Sequence, residues 1–451
     1  MGIQDLVRRR LDSRTRGILE VARGIRDKLV RDSGLNASIH TLWDIGMMDL
    51  SVPARSLLDI MALLDPERIQ KDLLVGDHGE ESLLFLNSTE QAQFKRMIRN
   101  LSGRKLIGIR EPERDCDEGS YNIHRVLQQK IQLDLDSCGN LDSVMAKATR
   151  LVRKRFPQAP RTRGPAPQKD KQLCRKYMPH VFGLLQAFTE LNYTFPAMKN
   201  SKEMADLFYD AGFYIWDSNA TEHEALALFD AAETILNSEW VDTDTQHLRR
   251  ADIYCISGLI RYSLGCQERN ESFRRLKLAL VIRKHVYDTM DPYDRDAHVL
   301  LENAATDYCT ALLNRYEFGE TEDILEQCLS RYREWGPEDE LPSEYSKCYY
   351  SMGLIRLCQG RLDDAIHHLQ RSVDLLGRFS GKKAGGRYWN HYFMLACAIR
   401  EKGDFYTALD MRQEIHTARI EQLGEHSNAT ILSTYAVAEM FMHLGHLQNA
   451  T

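Results

Sequence analysis

Apolar and polar positions alternate along this chain in two regimes. Between residues 36 and 136 short helical stripes are followed by two brief alternating segments. Val52 to Leu64 spaces Leu57, Leu58, Ile60, Met61 and Leu64 along one side of a helix opened by Pro53. Asp65-Pro66-Glu67 stops it and starts a short helix through Leu74. Thr89 caps a helix through Leu101, which Gly103 ends. KLIGIR (105–110) and SYNIHR (120–125) flank a polar acidic loop and predict a hairpin, with a helix from about His124 to Leu135. Three helices and a hairpin predict a winged-helix-like domain over 36–136, preceded by an N-terminal helix over 1–35. Past residue 200 the pattern is helical throughout, in pairs joined by short turns. Residues 137–199 read as a helical spacer. Within it, 155–171 holds four of the twelve prolines and almost nothing apolar, which predicts a mobile loop or linker.

The paired helices repeat. Tyr345 to Leu376 has Gly353 in its first helix, Gly360 in the turn and Ala365 in its second. Ala396, Gly403 and Ala408 recur at the same offsets of seven and five, as do Ala438, Gly445 and Ala450. Looser copies centre on Gly258 with Gly265, and on Ala225, Phe229 and Ala232. A small residue in each helix lets two backbones approach, and the turn glycine supplies the positive φ that ends the first helix. Tyr349, Tyr392, Leu369 and Phe405 supply the bulk between repeats. These features resemble tetratricopeptide repeats, in a form with a period near 42 residues. The expected fold is therefore all-α: a tetratricopeptide-type α-solenoid over 200–451, its last repeat truncated, preceded by the winged-helix module and the spacer.

Three further stretches, SIHTLWDIGMMDLSVPARSLLDIMALLDPERIQKDLL, SYNIHRVLQQKIQ and YMPHVFGLLQAF, resemble the segment between nucleotide-binding domain and repeats in fungal NB-ARC/tetratricopeptide proteins. Those belong to the STAND class of signal-transducing ATPases, akin to NOD-like receptors. The resemblance runs from about residue 35 to the end. It implies a winged helix that folds back on bound ADP and repeats that sense a ligand. Ile123-His124-Arg125 matches the position of the family's Met-His-Asp motif, with Arg125 where the family has an acid; His124 is expected to be a structural residue at the hairpin–helix junction, and the resemblance implies a vestigial or in-trans nucleotide contact there as the alternative. The chain departs from the family in lacking any G-x-x-x-x-G-K-[ST] phosphate loop, so no ordinary ATPase site is expected. SGKKAGG (380–386) lacks the spacing and reads as an inter-repeat loop.

Composition adds little. Charged residues are 27% and hydrophobic ones 43% of 451, which excludes global disorder. No 18-residue apolar run predicts a membrane span, the N-terminus lacks the apolar region of a secretory signal, and ten cysteines show no CxxC pair; a cytoplasmic location is expected. Charge is more informative. Residues 1–200 carry 33 Lys+Arg against 25 Asp+Glu, and the remainder 26 against 40. The third N-terminal helix bears Lys95, Arg96 and Arg99, followed by Arg104 and Lys105, which would suit a DNA-binding regulator. Glu111, Glu113, Asp115, Asp117 and Glu118 in the hairpin loop oppose that, so nucleic acid is not the expected partner. No HExxH, GxSxG or Cys/His set points to an enzyme, and adjacent His367 and His368 on a helix face different directions. An accessory enzyme built on the concave face is the remaining alternative. The sequence predicts a non-enzymatic interaction protein needing no cofactor or metal, with a protein or peptide partner in the groove of the first helices. Self-association, or a parent NB-ARC domain in trans, is the further partner expectation. Lys347, Tyr350, Asn390, Phe393 and Arg400 are the expected groove residues.

Overall fold

A computed structural model describes residues 43–76, 81–87, 91–110, 119–161, 166–192, 202–218, 222–238, 244–287, 294–380 and 386–445. The expected helix over 1–35, the cap at Thr89, the acidic loop 111–118, most of SGKKAGG and Ala450 lie outside the described residues. The chain divides into two compact units. One comprises residues up to Val152 with 182–194, the other 153–181 with 195 onward.

In the first unit, Val52–Met61 forms α1, with Pro53 in its first turn. The five expected stripe residues, Leu57, Leu58, Ile60, Met61 and Leu64, are all fully buried. Gln128 and Gln132 donate to the carbonyls of Leu64 and Ala62 at 2.8 and 2.7 Å, satisfying acceptors that the helix end leaves open. Ile69–Gln70 (β1) and Lys71–Leu74 (α2) follow. The expectation of one helix up to Leu74 is corrected here: Ile69 pairs with Tyr121 and Gln70 with Ser120, because a two-residue strand suffices to extend an existing hairpin. Gln91–Gly103 (α3) buries Phe94, Met97, Ile98 and Leu101. Ile107–Arg110 (β2) and Ser120–Ile123 (β3) pair antiparallel, giving the sheet order β1-β3-β2. A Cβ on Gly108 in β2 would stand 2.0 Å from Asn122 Oδ1, so a larger residue there would make the Asn122 amide turn aside. Arg125–Ser137 (α4) and Leu141–Arg155 (α5) complete the succession, and Gln168–Asn192 (α6) follows. Two of the three unit boundaries fall within α5 and α6. In the second half of α6, Gly183 lets the backbone approach that of 63–65, where a Cβ would lie 3.0 Å from the Leu64 carbonyl carbon.

The second unit is a succession of antiparallel helix pairs. They are Lys202–Asp217 with Glu222–Ser238 (α7, α8) and Asp244–Ser263 with Arg269–Tyr287 (α9, α10). Arg295–Leu313 with Phe318–Trp335 (α11, α12) and Pro342–Cys358 with Leu362–Ser380 (α13, α14) come next. Gly386–Glu401 with Phe405–Leu423 (α15, α16) and the single helix Asn428–His443 (α17) end it. Each helix packs on the next, and each first helix from α7 to α13 also meets the first helix of the following pair. This is the all-α repeat architecture that the sequence predicts.

The recurring small residues of the earlier copies are wedged between helices as expected, whereas Ala438 of the last copy is only half-buried. A Cβ on Gly353 would stand 2.6 Å from Leu369 Cγ, and one on Gly258 2.8 Å from Leu276 Cγ. Ala365, Ala396 and Ala408 are fully buried. The turn glycines Gly265, Gly360, Gly403 and Gly445 have φ of 106°, 73°, 95° and 76°, conformations an L side chain resists.

One copy goes unmarked in the sequence, and one expectation changes. The pair α11/α12 is a copy in which Cys309, Tyr316 and Thr321 take the small, turn and second-helix positions. Tyr316 adopts φ 59° and Cys309 Sγ donates to the Thr321 carbonyl at 3.9 Å. The expected linker is also held in place over its described residues. Phe156 is buried, Ala159 N–H donates to Asp210 Oδ1 at 3.0 Å, and Ala166 N–H donates to Asp217. Lys171 pairs with Asp217 at 2.8 Å, and Arg153 pairs with the buried Asp210 at 2.6 Å. Proline-rich backbone with few apolar groups is thus fastened to α7 by polar contacts. Burial pushes the Asp210 carboxyl up to about 6 despite its arginine.

Candidate functional site

The first helices of five successive pairs line one cavity of about 180 Å³. Trp216 comes from α7 and Leu259 from α9; α11 supplies Thr306, Asp307 and Thr310. Lys347, Tyr350 and Ser351 come from α13, and Arg387 and His391 from α15. The arrangement follows from the repeat: a residue at a given register of each first helix returns to the same side of the stack, so side chains distant in sequence converge.

Two expected residues, Lys347 and Tyr350, are in this cavity. The Tyr350 ring stacks on His391 with centroids 4.0 Å apart and planes 14° from parallel. His391 is buried, and its Nδ1 lies 2.7 Å from Ser372 Oγ, which donates its one proton to the Ser346 carbonyl at 2.8 Å. Ser372 therefore accepts from His391, which places the imidazole hydrogen on Nδ1 and leaves Nε2 as an acceptor. Burial, reinforced by the Arg387 and Lys347 cations, holds the His391 pKa well below its ordinary value, so the ring is neutral. Lys347 Nζ donates to Asn303 Oδ1 at 2.9 Å and Arg387 to Ser343 Oγ at 3.0 Å. The lining thus combines two cations, the Asp307 carboxylate, a neutral imidazole, several hydroxyls and the apolar surfaces of Trp216 and Leu259.

The other expected groove residues are engaged within the stack. Arg419 of α16 donates to Asn390 Oδ1 at 2.9 Å, and its guanidinium lies 5.2 Å from the centre of the Phe393 ring. Arg412 lies 5.8 Å from the same ring and donates to the Ala436 carbonyl at 2.8 Å. Arg400 binds both oxygens of Glu439 at 2.7 and 2.8 Å. Both Arg412 and Arg419 are buried, and burial pulls Arg419 down to about 10. Together these groups join α15 and α16 to α17. Asp307, Arg387 and His391 escape sequence reading because they converge on Lys347 from neighbouring helices.

His124 occupies the N-cap of α4, where its Nδ1 accepts from Val126 N–H at 3.3 Å. Its ring lies 5.6 Å from that of Trp43. Arg125 pairs with Glu67 at 3.0 Å. These contacts give the hairpin–helix junction a structural use for both residues. Among the described residues no helix is long and apolar enough to cross a membrane.

A family model described as a domain of unknown function (DUF7779) matches residues 45–138. No curated protein matches the chain. Among solved structures it is similar to a Rap protein complexed with competence and sporulation factor, at 13% identity over 72% of this chain and 88% of that one, with TM-score 0.42. It is similar to a STAND protein with a tetratricopeptide repeat sensor from Pyrococcus horikoshii, at 14% identity over 93% of this chain and 58% of that one, with TM-score 0.37. A putative kinesin light chain with TPR-like repeats from Podospora anserina shares 14% identity over 45% of this chain and 91% of that one, with TM-score 0.34.

Proposed function

We propose that this chain is a recognition protein whose repeats bind a peptide or an extended protein segment along their first helices, without bond making or breaking. The observation that carries the reading is the cavity shared by α7, α9, α11, α13 and α15, with Lys347, Arg387, Asp307 and the Nε2 acceptor of His391 as its polar groups. Lys347 and Arg387 take acceptor groups of the segment, Asp307 and His391 its donors, and Trp216 with Leu259 an apolar side chain. In the same reading the first unit is a winged-helix-like module of a NOD-like, NB-ARC-type receptor. The sheet order β1-β3-β2 behind three helices supports this, as does the sequence resemblance around Trp43 to Leu74.

Selection of a random peptide library on the full chain tests the proposal. Enriched peptides are expected to lose at least tenfold in affinity for the Lys347→Ala/Arg387→Ala variant, whose helical circular dichroism should match wild type even though Asn303 and Ser343 lose their donors and its melting temperature falls. Enriched peptides that bind the variant equally well, or a library with no enrichment, would count against the reading.

A further inference from the structure

We infer that the outer face of α3 is a docking surface for double-stranded nucleic acid, held through its phosphates. Residues 91–110 contain six basic residues, Lys95, Arg96, Arg99, Arg104, Lys105 and Arg110, and no acidic one, within a chain of net charge −6. The fold assigns these six to different uses. Phe94, Met97, Ile98 and Leu101 turn inward, which leaves Gln91, Ala92, Lys95, Arg96 and Arg99 exposed in one stripe along the helix. Arg104 alone is consumed internally: it donates to Asn100 Oδ1 at 2.8 Å and to the Gly46 and Met48 carbonyls. The side chains of Lys95, Arg96, Arg99, Lys105 and Arg110 have no ion pair or hydrogen bond among the described residues.

That contrasts with the repeat unit, where arginines engage nearby acids, as in Arg249–Asp206, Arg261–Glu268, Arg356–Glu322 and Arg400–Glu439. A row of cations with no counter-charge among the described residues, on an exposed helix face, is complementary to a regular array of phosphates. The 13-residue helix is about 20 Å long and about 10–12 Å across, dimensions that a DNA major groove admits. Arg110 extends the cationic surface onto β2, an edge strand of the sheet order β1-β3-β2. Ile109 is the one large apolar side chain exposed among 91–110, too little to insert into a bilayer, which favours nucleic acid over an anionic membrane. The sequence-based expectation against nucleic acid rests on the acids of 111–118, which lie outside the described residues, and on the preference of a helix C-terminus for cations; the last turn of α3 holds no basic residue, so its dipole does not account for Lys95, Arg96 and Arg99.

The test uses the full chain and fluorescence anisotropy with a labelled mixed-sequence DNA duplex. For three to five phosphate contacts, raising salt from about 50 to about 200 mM should weaken wild-type binding roughly 50- to 500-fold. Lys95→Gln/Arg96→Gln/Arg99→Gln should reduce low-salt affinity at least tenfold and flatten the slope of log K against log salt by about 3. The neutral substitutions avoid new repulsion, and unchanged circular dichroism and melting establish that the fold persists. The solenoid control Lys402→Glu, at an exposed residue paired with Asp363, should bind as wild type does. Absence of low-salt binding, or equal binding by the triple variant, would overturn the inference. So would a triple variant that loses phosphatidylserine vesicles but retains DNA, which would assign the face to a membrane instead.

Discussion

Gly353 and Gly377 offer a matched pair on which the packing logic of the repeats can be tried. Both lie in helices of one hairpin, α13 and α14, and alanine improves intrinsic helix propensity at either by about 1 kcal/mol. Their surroundings differ. At Gly377 a new Cβ meets only Tyr388, at an ordinary 3.5 Å. At Gly353 it would stand 2.6 Å from Leu369 Cγ, 2.9 Å from Cδ2 and 3.3 Å from the Ala365 carbonyl oxygen. Leu369 is fully buried and cannot swing aside into solvent, so the helices must separate or the side chain must leave its rotamer, at a cost of about 1–3 kcal/mol. Gly377→Ala should therefore stabilise the repeat unit by about 0.5–1 kcal/mol, and Gly353→Ala should fall below it by about 1–3 kcal/mol. Urea unfolding followed by helical circular dichroism gives the comparison. A Leu369→Ala background, which opens the space, should erase the Gly353→Ala penalty in a double-mutant cycle. If both glycine substitutions stabilise equally, the small residues are not wedged and the reasoning is refuted.

Three other outcomes follow from the same contacts. Arg412→Met should destabilise the α15–α17 region by roughly 1–3 kcal/mol, because the Ala436 carbonyl loses its buried donor; a melting curve within error of wild type would contradict this. Tyr316→Gly should raise stability by about 0.5–1 kcal/mol, since glycine relieves the left-handed φ of 59° and the exposed ring buries little; a lower unfolding midpoint would oppose that. His391 should make stability depend on pH. As pH falls through about 6.5, the unfolded chain binds a proton that the folded chain, with its lowered pKa, refuses, so folding weakens. Asp210, raised to about 6, acts oppositely and favours the folded chain at the lower end of the window between about 3.8 and 6. His391→Asn should accordingly lose less melting temperature than wild type between about pH 7.5 and 5.5, and an equal loss would dismiss the assignment.

Much of the repeat architecture is legible in the sequence because its physics is local and periodic. Glycine or alanine at fixed offsets announces close backbones, and Gly360 or Gly403 announces a left-handed turn. The copy at α11/α12 escapes this reading because Cys309, Tyr316 and Thr321 meet the same steric demands with different residues. The strand Ile69–Gln70 escapes it for another reason: two residues carry no alternation, and only the partner Tyr121 defines them as a strand. Prolines within 155–171 indicate interrupted helix but not where the backbone goes, since its fastening depends on Asp210 and Asp217 some 50 residues away. The candidate site is legible in part. Lys347 and Tyr350 follow from register on α13, whereas Arg387, His391 and Asp307 join them only through the stacking of separate first helices. Register alone also cannot say that Arg412 and Arg419, from a second helix, reach back to Phe393.

Amide hydrogen exchange of the full chain, with and without a library-selected peptide, tests recognition by the first helices most directly. Protection should concentrate around Thr306 to Thr310, Lys347 to Ser351 and Arg387 to His391, while α12, α14 and α16 exchange as before. Protection confined to those second helices, with the three first-helix segments unchanged, would contradict it.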